Sequence, residues 1–130
     1  MTSDGKYFFT ASYDKSVKQF NIQSRKKVYE YKVIHDIVAI ALTSDGKYLF
    51  TASGDNSVKQ FNIETHQQVC HFEDIHKNCF YMIAMKSDAK YFFTASDDKS
   101  VKQFNVETHQ EVYCYKAIHK YAICTIALTP

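Results

Sequence analysis

Serine, aspartate and histidine residues lie close together in the sequence and could form a catalytic group. Ser53 and Asp55 are two residues apart, with His35 before them and His76 after them. A Ser-His-Asp hydrolase needs one activated serine beside an oxyanion hole. The same residue types are found again as Ser12, Asp14, Ser96, Asp98 and His119. Because an enzyme needs a single such group, the repetition favours a structural role, and we predict no enzyme activity and no cofactor.

A second group has the residue types of a zinc site. Cys70, His71, His76 and Cys79 place four potential ligands within ten residues. Their spacing matches none of the common zinc motifs. In a β-strand, the neighbours Cys70 and His71 point to opposite faces. We therefore predict no metal site here and expect these side chains to pack or to face solvent.

The elements that position these residues are repeated along the chain. Residues 44–62 read Ser-Asp-Gly-Lys-Tyr-Leu-Phe-Thr-Ala-Ser-Gly-Asp-Asn-Ser-Val-Lys-Gln-Phe-Asn. Near-copies of this segment begin at Ser3 and Ser87, so the three copies are 41 and 43 residues apart. Repeats of this length, built from short strand-like runs, are typical of the blades of a β-propeller.

Each repeat is predicted to contain β-strands only. The aromatic and β-branched runs alternate with turn signals such as Asp4-Gly5, and no stretch has helical periodicity over three turns. The apolar run Ile37–Leu42 is typical of a strand buried on both faces. The predicted strands are 6–12, 16–22, 27–33, 37–42, 47–53, 57–63, 68–73, 79–85, 90–96, 100–106, 111–116 and 121–128.

The composition describes an ordinary globular domain. The chain has 130 residues, 45% of them hydrophobic and 23% charged, with a net charge of +2. The charges alternate in sign, so a repeated lysine at positions 18, 59 and 102 favours a solvated face over a phosphate site. We predict no binding to nucleic acid or to membranes.

Cysteine usage predicts a reducing compartment. Cys70, Cys79, Cys114 and Cys124 do not recur at fixed positions of the repeat, which argues against a disulfide framework. No signal peptide precedes Ser3, and no apolar run approaches the length of a membrane span. We therefore expect a cytoplasmic or nuclear protein.

Aromatic residues alternate along the third predicted strand of each repeat. They are Tyr29, Tyr31, Phe72, Tyr113 and Tyr115. Two interpretations remain open: an aromatic groove for a partner, or packing between neighbouring sheets. Alternation of this kind is the ordinary pattern of a half-buried strand, so we favour packing.

The repeat resembles that of the WD40 family over the whole chain. The family's repeat has a histidine before an apolar strand, a Ser-Pro-Asp-Gly type of turn, a Ser-x-Asp motif and a final Trp-Asp. Here the turn reads Thr-Ser-Asp-Gly at residues 43–46, and Phe61-Asn62 stands where the family has Trp-Asp. The matching histidines and Ser-x-Asp residues are His35, His76, His119, Ser12, Asp14, Ser53, Asp55, Ser96 and Asp98.

The resemblance implies a fold, a residue network and a class of function. In the family the histidine, serine, aspartate and tryptophan of one blade form a hydrogen-bonded network. Phenylalanine has no N–H donor, so at most three members remain here. Ala89 replaces the turn glycine in the third copy, and Gln19, Gln60 and Gln103 fill a position that is usually aliphatic. The implied function is that of a non-enzymatic scaffold that binds peptides or proteins on a ring face.

Read with the strand order of the family, the chain is a single propeller segment. It divides into a partial blade 1 at 3–33, blade 2 at 35–74, blade 3 at 76–117 and the inner strand of a next blade at 119–128. Blade 1 has no inner strand of its own. The apolar strand Tyr121–Leu128, with Ile123 and Ile126, follows the last complete blade.

These parts predict an all-β, WD40-type propeller whose ring is closed by oligomerisation. Known propellers have roughly 4–8 blades, so three cannot readily close. If Tyr121–Leu128 completes blade 1 of another copy, a homodimer makes six blades and a homotrimer makes nine, and we favour the dimer. His119 would then meet Ser12 and Asp14 of the neighbouring copy. Thr129-Pro130 aligns with Thr43-Ser44, so an alternative is an engineered or excised repeat fragment with self-assembly as its only activity; natural truncation is the simpler explanation.

Overall fold

Three antiparallel β-sheets make up the described part of the chain. The computed structural model describes Thr2 and residues 4–33, 36–73, 80–86, 90–96 and 99–116. The first sheet has the strand order β1-β2-β3, the second β4-β5-β6-β7 and the third β8-β9-β10-β11. The prediction of an all-β protein is confirmed. The predicted strand at 121–128 lies outside the described residues.

The strands follow the aromatic and β-branched runs of the sequence, as expected for residues that fit a pleated, half-buried surface. The first sheet contains β1 (Tyr7–Ser12), β2 (Ser16–Asn21) and β3 (Lys27–Lys32). The second contains β4 (Ile37–Leu42), β5 (Tyr48–Ser53), β6 (Val58–Asn62) and β7 (Gln68–Phe72). The third contains β8 (Phe80–Met85), β9 (Tyr91–Ser96), β10 (Val101–Asn105) and β11 (Glu111–Tyr115).

A threonine and an aspartate build the turn that leads into β5. The Thr43 hydroxyl donates to Asp45 Oδ1 at 2.6 Å and accepts the amide of Tyr48 at 3.0 Å. Gly46 between them has a φ of +73°, which glycine adopts without steric cost. Thr2, Asp4 and Gly5 repeat this arrangement before β1, where Gly5 has a φ of +71°.

The invariant Ser-Val-Lys-Gln-Phe-Asn segment forms the third position of each four-stranded sheet and ends in a tight turn. Its register against the next strand shifts at the Gln-Phe step in all three sheets. Its final asparagine then accepts backbone amides of the turn: Ser24 donates to Asn21 Oδ1 at 2.8 Å, and Thr65 donates to Asn62 Oδ1 at 3.0 Å. The residue after Ser24 or Thr65 adopts the left-handed conformation.

The sheets bury their apolar faces against one another. One core cluster joins the first and second sheets and includes Val17, Tyr31 and Leu49. The other joins the second and third sheets and includes Phe50, Phe72 and Phe92. Burial of apolar surface between neighbouring sheets is therefore the main force that holds the repeats together.

The apolar strands lie at one edge of the stack. β4 pairs with β5, and β8 pairs with β9, each antiparallel. β4 also contacts β8 of the next sheet and β1 of the first sheet. Among the described residues there is no helix that is both long and apolar enough to span a membrane.

Candidate functional site

The first sheet has an open edge in the part of the chain that the structure describes. There, β1 pairs with β2 on one side and with no strand on the other. The corresponding strands β5 and β9 are interior strands, because β4 and β8 pair with them. An open edge presents unpaired backbone N–H and C=O groups, which can pair with another strand.

Two identical hexapeptides show what this open edge changes. Tyr-Phe-Phe-Thr-Ala-Ser forms β1 at 7–12 and β9 at 91–96. In β9 the residues Thr94, Ala95 and Ser96 are 0% exposed. The same three residues of β1, at 10–12, are all exposed. Since the side chains are identical, the difference comes from the strands and sheets that surround them.

The strand that covers this edge in the other two sheets has a repeated register. Ile40 lies opposite Thr51 in the second sheet, and Ile83 lies opposite Thr94 in the third. Each of these apolar strands has a bulge near its start, at 37–39 and 80–82. Any strand that completes the first sheet in the same way would therefore place an aliphatic residue opposite Thr10.

In the first two sheets, the structure places Ser12 and Ser53 at strand ends and Asp14 and Asp55 in the hairpin turns that follow. Asp14 Oδ1 accepts both the amide and the hydroxyl of Ser16, at 3.1 and 2.6 Å. The hydrogen bond from the Ser16 hydroxyl holds the pKa of Asp14 below its ordinary value; desolvation opposes this, and the charge of Lys18 supports it. Asp55 Oδ1 accepts the amide and hydroxyl of Ser57 in the same manner.

The histidine side of the predicted network is not part of the described structure. His35, His76, His119 and Asp98 lie outside the described residues, as do Tyr121, Ile123, Ile126 and Leu128. Ser53 and Ser96 are buried, whereas Ser12 is exposed. The buried Ser53 Oγ has no hydrogen-bond partner among the described residues. A buried hydroxyl without a partner is costly, so this atom marks a place where a further polar group would be stabilising.

Two of the four potential zinc ligands can be placed. Cys70 is half-buried on β7, and the neighbouring His71 is exposed, with Nδ1 3.5 Å from Glu73 Oε1. Desolvation raises the pKa of the Cys70 thiol, although the His71 backbone amide opposes this, so the thiol stays protonated at neutral pH. No group of three His, Cys, Asp or Glu side chains within the described ranges could hold a metal ion. Cys70 and Cys114 are free thiols.

The alternating aromatic residues divide into buried and exposed members. Tyr31 and Phe72 are 2% and 7% exposed and pack against the next sheet, so the preference for packing is confirmed for these two. Tyr115 occupies the position of Tyr31 and Phe72 in the third sheet and is 42% exposed, and Tyr113 occupies the position of Tyr29 and is 57% exposed, against 38% for Tyr29. Among the described residues, no further sheet covers them.

The sequence reasoning missed a residue that lies between sheets. His66, in the turn between β6 and β7, stacks on Tyr29 with ring centroids 3.8 Å apart and an interplanar angle of 5°. Its φ of +64° follows from the turn that Asn62 organises. The invariant asparagine was the signal, because it places a left-handed residue at the same position of every repeat: Arg25, His66 and His109.

The turns that the family resemblance implies as a binding face are only partly described. Tyr13 is 76% exposed in the turn between β1 and β2. Lys15, Asn56 and Lys99 have a positive φ at the ends of the three corresponding turns. The connectors at 34–35, 74–79 and 117–120 lie outside the described residues.

Comparison with known families identifies the repeat. The family model described as "WD domain, G-beta repeat" matches residues 1–21, 26–62 and 66–105, which is well over half of the chain. No curated protein sequence matches the chain.

Solved structures with the same repeat superpose closely on the chain. The structure of U3-55K has a TM-score of 0.87 at 22% identity, over 94% of this chain and 39% of that one. The crystal structure of the RRP9 WD40 repeats has a TM-score of 0.86 at 23% identity, over 94% of this chain and 38% of that one. At this identity the likeness shows the fold. The chain spans less than two fifths of the length of either structure.

Proposed function

The chain belongs to the WD40 repeat family, a family of protein-interaction scaffolds, and on that premise we propose that it completes its propeller with further copies of itself. Its function is then non-enzymatic: the repeats bind a protein, and the first protein they bind is a second copy of the chain. The edge of β1 is the proposed site of this contact.

The contrast between the two identical hexapeptides carries the proposal. Thr94, Ala95 and Ser96 are fully buried by their neighbours, and residues 10–12 with the same sequence are exposed. An exposed strand edge with apolar residues promotes pairing with another chain. Covering β1 as β9 is covered would pair its free backbone groups and bury the apolar side chains beside them.

The segment 121–128 is the proposed occupant of the edge. Its sequence, with Ile123, Ile126 and Leu128, aligns with Ile37, Ile40 and Leu42 of β4. In the register of the second sheet, Ile40 lies opposite Thr51. The corresponding pair in the proposed contact is Ile126 of one copy opposite Thr10 of the next. The backbone pairing and the aliphatic contacts that hold β4 against β5 would therefore hold this segment against β1.

The proposed ring contains six blades in a homodimer. Each copy contributes three repeats, and six lies within the usual range of roughly 4–8 blades. A nine-bladed homotrimer is the alternative, closed by the same contact. A repeat fragment whose only activity is self-assembly would use that contact as well.

Sedimentation equilibrium tests the proposal on the intact 130-residue chain, whose monomer mass is 15.1 kDa. We expect a dimer of about 30 kDa, twice the monomer mass. A variant without residues 119–130 should no longer form this dimer. A synthetic peptide of residues 117–130 should bind to that truncated variant. A variant without residues 129–130 only is the control and should remain dimeric. If the shorter variant kept the same well-folded oligomer, the proposed contact would be wrong.

We further propose that His35 supplies the missing partner of Ser53 within one blade, with Asp55 fixing its imidazole. The buried Ser53 Oγ, which has no hydrogen-bond partner in the part of the chain that the structure describes, supports this. His35→Ala and Ser53→Ala should each lower the free energy of unfolding by about 1–3 kcal/mol. The double variant should cost less than the sum, because both changes remove one interaction. Additive effects in chemical denaturation would argue against the network.

The same group is proposed at two more places. His76 forms it with Ser96 and Asp98 within the next blade, and His119 forms it with Ser12 and Asp14 of another copy.

A further inference from the structure

The contact between the first and second sheets is built from aromatic rings, packed face to face and edge to face. Tyr29 and Tyr31 of β3 form an edge-to-face pair, with centroids 4.8 Å apart and an interplanar angle of 70°. His66 of the second sheet stacks on Tyr29, and Phe61 packs edge-on against Tyr31 at 5.3 Å. Tyr31 is 2% exposed as a result.

The contact between the second and third sheets uses the same positions. Phe72 of β7 packs edge-on against Phe92 at 5.2 Å and against Phe104 at 5.9 Å. Phe92 and Phe104 are stacked on each other at 5.0 Å with an interplanar angle of 14°. His109, the counterpart of His66, lies 5.6 Å from Phe72. At each internal contact, aromatic rings on the last strand of one sheet therefore pack against residues of the inner strands and a turn residue of the next sheet.

The third sheet presents the first half of such a contact to solvent. Tyr113 and Tyr115 of β11, which we call the trailing face, form an edge-to-face pair at 4.7 Å with an angle of 67°. This geometry matches that of Tyr29 and Tyr31, yet Tyr113 and Tyr115 are 57% and 42% exposed, against 38% and 2% for Tyr29 and Tyr31.

The first sheet presents the second half. Phe8 and Phe20 are stacked at 5.1 Å with an angle of 12°, as Phe92 and Phe104 are, and Phe8 is 38% exposed. Arg25 occupies the turn position of His66, with a φ of 60° and its amide 2.9 Å from the Asn21 carbonyl oxygen. Phe8, Phe20 and Arg25 form the leading face.

We propose that the trailing face of one copy docks on the leading face of the next, with the Arg25 guanidinium stacked on the ring of Tyr113. This inference rests on the proposed self-association, and it adds a second contact, on the outer part of the sheets, to the pairing of β1. The two faces are complementary because the chain already packs the same positions together twice, at its two internal contacts. Arginine suits the position of His66 because its planar cation stacks on an aromatic face and is attracted to it.

The occupant of the trailing face is therefore a second copy of this chain. Tyr115 should enter against Phe8 and Phe20, as Phe72 enters against Phe92 and Phe104. The contact does not depend on the number of copies in the assembly. In a dimer and in a trimer alike, the third sheet of one copy lies against the first sheet of the next.

The test is the dissociation constant of the full-length chain, measured by sedimentation over a dilution series. Arg25→Ala and Tyr113→Ala should each weaken association by roughly tenfold, which corresponds to the loss of a desolvated cation–π contact. The double variant should be about as weak as either single variant, because both remove the same contact. Arg25→His should retain most of the affinity, since histidine fills this position at the internal contact.

Lys26→Ala is the matched control. Lys26 is also an exposed cation in the same turn, so this change removes the same charge without touching the proposed stack, and we expect less than about a twofold effect. Circular dichroism checks that each variant is folded. The docking contact alone would be wrong if Arg25→Ala and Tyr113→Ala left the dissociation constant unchanged. It would also be wrong if Lys26→Ala weakened association as much as they do. A chain that is monomeric at every concentration overturns both this contact and the proposed function.

Discussion

The glutamine of the invariant segment shows how a single hydroxyl group changes the hydrogen bonding of the same residue in two repeats. Gln19 and Gln60 are both 2% exposed. In the first sheet the Tyr31 hydroxyl donates to Gln19 Oε1 at 3.2 Å. Burial, aided by the nearby Tyr29, raises the pKa of Tyr31, so its phenol keeps the proton that it donates. In the second sheet Phe72 takes the place of this tyrosine, and Gln60 Oε1 has no hydrogen-bond partner among the described residues.

This difference predicts opposite effects for two reciprocal substitutions. Tyr31→Phe should lower the free energy of unfolding by about 1 kcal/mol, because it leaves a buried amide oxygen unpaired. Phe72→Tyr should raise it by up to about 1 kcal/mol, because it supplies the missing donor. Urea denaturation at one fixed chain concentration compares the two with the natural sequence. A loss of stability in both variants would show that a hydroxyl at position 72 is not accommodated.

At the scale of the element, the Thr-x-Asp-Gly turn fixes the start of the strand that follows it, because the threonine hydroxyl bonds both the aspartate and the first amide of the strand. Partial burial raises the pKa of Asp45, but the Thr43 hydroxyl and the Lys47 amide outweigh it, so the net pKa lies below its ordinary value. The carboxylate therefore stays ionised at neutral pH and keeps both hydrogen bonds. Gly46 supplies the left-handed residue that this turn needs.

Two glycines of the second sheet provide a matched test of that requirement. Gly46→Ala should lower the free energy of unfolding by about 1–2 kcal/mol, because an L-residue is strained at positive φ. No atom of the described residues lies within 4 Å of the added Cβ, so strain alone should account for the cost. Gly54→Ala is the control: its φ is not in the left-handed region, the nearest atom is 3.8 Å away, and stability should be unchanged or slightly higher. Equal losses in thermal denaturation would contradict the role assigned to the backbone of Gly46.

At the scale of the whole molecule, three sheets stack through two internal contacts and leave a complementary surface at each end of the stack. The leading face and the edge of β1 lie on the first sheet, and the trailing face lies on the third. Because the two ends differ, the proposed contact is head-to-tail, and it closes a ring only if the rotation between copies allows it. The dimer mass tests whether the assembly forms, and the variants at Arg25 and Tyr113 test whether the trailing and leading faces contribute to it.

The strands and the family could be predicted from the sequence because both depend on local patterns of residues. The alternating runs predicted the eleven described strands to within one residue at each end. The repeat period and the Ser-x-Asp and Phe-Asn motifs indicated the WD40 family, which the family comparison confirms. The partner of Gln19 could not be foreseen, since Tyr31 is twelve residues away and reaches it only through the pairing of β2 with β3.

The sequence by itself determined what each repeat is: a set of antiparallel strands, with its turns and its family. Only the tertiary structure decided which repeats are covered. Tyr-Phe-Phe-Thr-Ala-Ser is the same six residues in β1 and in β9, and it is exposed in one and buried in the other. Strand formation depends on the residues of the segment, whereas burial depends on the sheets beside it, which the segment does not encode.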